Sequence, residues 1–218
     1  MSAIVSKNKV TGRSSTGTTR VAAQVSLASA TVSLVSLTAL HFLSPEFEPS
    51  WRMVSEYALG SYGWVLLLMF LSWALSCIAL FVAIRSQVET LAGKIGLGFL
   101  LAAAIGMTLG GLFDVDHDLH GLAAMIGMPS LPVAAVLISI SLSRTPLWSP
   151  ARRSLLWTAN LTWISLVLMT VGVFSGFSGT GEVRPDAWFG FANRLLIISY
   201  NAWLMVAAYR AMEISRQS

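Results

Sequence analysis

Six long apolar runs decide what this chain can fold into. They cover residues 21–43, 63–84, 95–113, 121–142, 154–176 and 187–209. A helix needs about 20 mostly apolar residues to cross the hydrocarbon core of a bilayer. The runs are continuously apolar rather than alternating, and they are too long for barrel strands. The expected fold is therefore an all-α integral membrane protein, a six-transmembrane-helix bundle. Composition agrees: 11% of residues are charged, against about 25% in a soluble domain. The single cysteine, Cys77, lies inside an apolar run, cannot form an internal disulfide and reads as a packing residue. No basic run with interleaved aromatics points to nucleic acid.

Charge placement sets an expected orientation. The N-terminal segment, 85–94, 143–153 and the segment from Arg210 share one side and hold 11 of the 14 Lys and Arg residues. Basic loops stay cytoplasmic, so both termini are expected there. Residues 1–20 read as a mobile basic tail without a cleavable signal peptide, 21–209 as the transmembrane domain and 210–218 as a second tail. The opposite loops carry Glu46, Glu48, Glu56, Asp114, Asp116, Asp118, Glu182 and Asp186. The expected location is the cell membrane, multi-pass. Membrane lipids are the expected partners, with a homo-oligomer as a further option.

Helix contacts have sequence signs of their own. Ser26, Ser29, Ser33 and Ser36 form one stripe of small residues. Gly106 and Gly110 are spaced as GxxxG, as are Gly172 and Gly176, and all three sets read as close helix–helix faces. Pro129 and Pro132 predict a kink in the fourth span. Trp51, Tyr57, Tyr62, Trp64 and Trp188 are expected in the outer interfacial belt, and Trp148 and Tyr209 in the inner one.

The polar residues concentrate at "FDVDHDLHG", 113–121. If the third helix continues through this turn, Asp114 and His117 share one face and Asp116 and His120 the next. Two imidazoles with carboxylates suit zinc or another divalent ion. A hydrogen-bonded or ion-paired structural latch is the preferred reading of the turn, ahead of a simply solvated turn and of metal binding. Arg194 lies inside the sixth span, where a charge calls for a partner or a cavity. Its expected partner is Glu56, Asp114 or Asp116, with Asn201 seven residues on along the same face. Ser55 is a candidate helix cap, and His41 reads as a boundary residue.

"SEYALGSYGW" before the second span, the acidic turn ending "LHGLAAMIG", the "LP" of the fourth span and "NRLLIISYNAWL" in the last form an ordered set. Together they resemble the bacterial and archaeal membrane family called domain of unknown function 998, over about residues 30–210. The resemblance implies a multi-pass helical membrane protein and supplies no activity. His120 and Arg194 match its pattern, whereas the turn here is compressed and lacks the family's proline. A looser similarity to ceramidase-like and progestin-receptor-like membrane hydrolases is weakened by six spans and no histidine after His120.

The functional expectation is an outward-facing polar pocket for a lipid headgroup or small amphiphile, formed by Glu56, Asp114, Asp116, His120, Arg194 and Asn201. The alternative is a metal-dependent hydrolase with zinc on Asp116, His117 and His120. A small transporter is the third.

Overall fold

The computed structural model describes residues 2–178, 181–184 and 186–217, with side chains from Gly17 onward. The described residues form six α-helices: α1 Ser2–Leu43, α2 Gly63–Ile84, α3 Leu91–Leu112, α4 Asp118–Leu142, α5 Arg152–Gly176 and α6 Phe189–Gln217. Two short 3-10 turns, Val54–Leu59 and Pro146–Ala151, lie between them. No strand occurs among the described residues; one isolated antiparallel bridge pairs Phe177 with Val183. Six stretches are long and apolar enough to span a membrane, each overlapping one expected run. Helical structure extends beyond the apolar runs, back to Ser2 in α1 and on to Gln217 in α6. The basic side chains Lys7, Lys9 and Arg13 of the expected tail lie outside the described residues.

Side-chain caps fix the starts of α3 and α4. Thr90 accepts the Gly93 N–H at the head of α3, and His117 Nδ1 accepts the Leu119 N–H at the head of α4. Such caps satisfy donors that a helix end leaves orphaned. Consecutive helices pack side by side, α6 closes the ring against α1, and α6 also reaches across to α2. With an even number of antiparallel spans, both ends of the chain emerge at one end of the bundle.

The small residues work as expected. All four serines of the α1 stripe are buried, and Ser26 bonds to Ser76 of α2 through side chain and backbone. Gly106 meets the backbone of Gly127, which lets α3 and α4 touch. Gly110, its GxxxG partner, has only Phe70 near, at 3.7 Å from a built Cβ. It borders the cavity described below, in ordinary contact with this side chain of α2.

The prolines of α4 are structural. Pro132 has no N–H, which frees the carbonyl four residues back, Met128. Tyr200 of α6 donates its hydroxyl to that carbonyl at 2.6 Å. The neighbouring helix thus replaces the bond the proline removed. Two belt expectations are corrected: Tyr57 and Trp148 are both 0% exposed. Trp148 donates to Gln87 at 2.8 Å, and Arg210 donates to the Leu147 carbonyl, so polar ties draw the 3-10 turn Pro146–Ala151 inward.

Candidate functional site

The end of the bundle away from the termini is built from three connections, 44–62, 113–117 and 177–188. The first folds back over the helices because α6 holds its backbone. Gly190 N donates to Ser50 O at 2.9 Å, Asn193 Oδ1 accepts the Val54 N–H at 2.9 Å, and Arg194 Nη1 donates to Arg52 O at 2.8 Å. Gly190 is required at this contact. A Cβ there would stand 2.5 Å from Pro49 O and 2.7 Å from Trp51 N, both rigid backbone.

Arg194 is 6% exposed and has no carboxylate partner among the described residues. This corrects the expected ion pair with Glu56, Asp114 or Asp116. Its Nε–H donates to His41 Nε2 at 2.7 Å, and Nη2 donates to Tyr57 Oη at 3.0 Å. Nη1 also reaches the Gly190 carbonyl at 3.0 Å. An arginine N–H can only donate, so His41 Nε2 is the acceptor and Nδ1 carries the proton given to Leu37 O at 2.7 Å. His41, expected as a mere boundary residue, is the neutral partner of the buried guanidinium. Glu56 instead pairs with Arg52 four residues earlier, and its other oxygen accepts the Met53 N–H at 2.7 Å. That bond heads the 3-10 turn Val54–Leu59, a role the sequence suggested for Ser55.

Under this roof lies a cavity of about 590 Å³. Glu56, Asp116 and His120 line it, together with Arg52, Ser55 and Asn193. Its deeper lining is apolar: Phe70, Trp73, Met107, Met128, Met169 and Ile197 among others. Trp73 and Met128 sit ten residues into their helices. At the standard rise, that puts the floor roughly 15 Å below the helix ends. Trp73 Nε1 is buried with no acceptor among the described residues.

Three expected site residues do not face this cavity. Asp114 is exposed, its Oδ1 accepting the Asp116 N–H at 3.1 Å. Asn201 is wholly buried lower in α6 and bonds to Ile197 O. Arg194 stands behind the wall rather than in it. Phe189, Asn193, Leu196 and Ile197 repeat at one helical face and form the wall. Arg194 is turned about 100° from Asn193. Gly190, Arg194, Ile197 and Asn201 repeat at the same spacing, so no local sign told which of the two neighbours faces the cavity.

The acidic–histidine turn is not a helix. α3 ends at Leu112, so the predicted shared faces of Asp114, Asp116, His117 and His120 do not form. His117 caps α4 and lies against the Phe113 ring at 4.4 Å between centroids. His120 donates Nδ1–H to Phe113 O at 2.8 Å. Among the described residues no three His, Cys, Asp or Glu side chains gather closely enough to hold a metal ion. The proposed zinc ligands Asp116, His117 and His120 are neighbours in sequence with different structural tasks.

A family model described as "Protein of unknown function (DUF998)" matches residues 27–210. The chain belongs to this family. No curated protein and no solved structure matches it. In this DUF998 protein the string "SEYALGSYGW" is the cavity roof and the entry to α2, and "NRLL" supplies the clamp that holds that roof down. The chain is thus a multi-pass helical member of the family, with six stretches long and apolar enough to span a membrane.

Proposed function

We propose that this DUF998 protein binds a small amphiphile or a lipid headgroup from the extracytoplasmic side, with both termini in the cytoplasm. One observation carries the reading: the cavity is polar only at its mouth and apolar in its depth. Arg52, Ser55, Glu56, Asp116, His120 and Asn193 ring the mouth. Below them the lining is aromatic, aliphatic and methionine-rich, and methionine adapts to irregular chains. A volume of about 590 Å³ falls within the usual range of roughly 300–1,000 Å³ for small-molecule sites. A floor roughly 15 Å down reaches about halfway through a hydrocarbon core of about 30 Å. An amphiphile of the outer leaflet would therefore keep its head and tail at their native depths.

The test is photo-crosslinking in nanodiscs with an alkyl chain that bears a terminal diazirine. Labelling of Met107, Met128, Met169 or Ile197 supports binding in the cavity. Label confined to lipid-facing residues such as Leu68, Ile105 and Phe174 would reject it.

A further inference from the structure

We infer that the headgroup this cavity prefers is cationic, an alkylammonium, and that the Arg52 side chain is the cation it displaces. The inference rests on the amphiphile reading above. Three observations lead to it.

The Arg52 guanidinium already shows how the mouth holds a cation. Its carbon lies 4.3 Å from the centroid of the Trp51 ring, and Nη1 pairs with Glu56. An aromatic face beside a carboxylate is the usual recognition chemistry for ammonium groups. Trp51, Arg52 and Glu56 all line the cavity.

Arg52 is also held in a way that leaves its side chain free to move. The loop is clamped by its carbonyl, which accepts from Arg194, and not by its guanidinium. The side chain is 38% exposed. It can swing into solvent while the roof stays in place.

The surrounding charge completes the case. Arg184 is paired with Asp186 and Arg52 with Glu56, while Glu46, Glu48, Asp114, Asp116, Asp118 and Glu182 form no salt bridge among the described residues. Arg194 is enclosed behind the wall, and its four hydrogen bonds all go to neutral acceptors. With Arg52 swung out, the charged groups left in the lining are the carboxylates Glu56 and Asp116, which favour a cation. An anion reaching for the N–H groups of Arg52 would sit beside Glu56, whereas an ammonium in place of the guanidinium would pair with that carboxylate.

Decyltrimethylammonium, decanoate and decyl glucoside share one chain length and differ in head charge. Their affinities are compared in nanodiscs, with protein-free nanodiscs subtracted. A cavity-filling Gly110→Leu variant identifies the specific component, because the position lines the cavity and its first added carbon meets Phe70 only at contact distance, 3.7 Å. Ala124→Phe replaces it if the first does not fold. The expected result is ammonium binding that the filled variant loses and that exceeds decanoate binding. Arg52→Ala should tighten it about three- to tenfold, the scale of one exposed cation–π contact and one exposed ion pair. Specific binding of decanoate or the glucoside equal to that of the ammonium would overturn the headgroup inference and leave the cavity reading standing. Weaker ammonium binding in Arg52→Ala, with an unchanged melting temperature, would overturn it too. If the filled variant loses none of the three ligands, the amphiphile reading falls together with this one.

Discussion

Arg194 donates its Nε–H to His41 Nε2 at 2.7 Å, so the buried cation of α6 is paired with a neutral ring on α1 and not with an acid. Its remaining donors hold Tyr57 and the Arg52 and Gly190 carbonyls. A buried charge in this position is tolerated because four of its five N–H groups meet an acceptor.

The first prediction concerns that pair. Arg194→Ala should cost about 2–3 kcal/mol, since it leaves several buried acceptors without a donor. Arg194→Lys should recover only part, because a point ammonium cannot span the fork. His41→Gln keeps an acceptor and should be mild, whereas His41→Lys sets two cations together and should match the alanine variant. Thermal melting in detergent ranks the four, and a harmless His41→Lys would contradict the assignment.

Gly190→Ala should detach the roof without unfolding the bundle. The added carbon meets loop backbone that cannot yield. Hydrogen exchange should rise across 49–56 and remain unchanged in α3 and α4. Equal protection in both proteins would show that the contact is dispensable.

Tyr200→Phe should cost about 1–3 kcal/mol by orphaning the Met128 carbonyl. In a Pro132→Ala background the helix regains its own N–H for that carbonyl, and the cost should shrink. A double-mutant cycle measures the difference. Equal costs in both backgrounds would mean that the hydroxyl does not serve the proline site.

The connection 177–188 should respond to acid. Arg184 donates to both oxygens of Asp186 and holds that carboxyl below the ordinary carboxylate range. A lowered folded-state value means the contribution is complete above the ordinary range. It fades as pH falls through that range and is gone below the lowered value. Amide exchange around the Phe177–Val183 bridge should speed up in that window, and in Arg184→Gln the acid dependence should weaken. An unaltered profile in the variant would break the link.

His120→Ala should leave the metal content of purified protein unchanged, because His117 and His120 are each bound into the turn by local hydrogen bonds. Elemental analysis decides this. Stoichiometric zinc lost in the variant would reinstate the hydrolase reading.

Much of the candidate site was legible in the chain, and the misses share one cause. Glu56, Asp116 and His120 were placed at the correct end because the loop between two spans has nowhere else to go. Asp114, Arg194 and Asn201 were assigned to the cavity because they are polar, but polarity does not say which way a side chain turns. Tyr57 and Trp148 were assigned to interfacial belts because they flank apolar runs. Tertiary hydrogen bonds from Arg194 and to Gln87 drew them inside.

By itself the sequence determined the number of spans, their order, and which loops share an end of the bundle. Those follow from a local requirement, that a segment in hydrocarbon be apolar and satisfy its own backbone. Only the tertiary structure decided that Asn193 faces the cavity while Arg194 faces His41. That choice turns on the rotation of one helix about its axis and on the path of a loop more than 130 residues away in the chain. Neither is a property of any short stretch of residues.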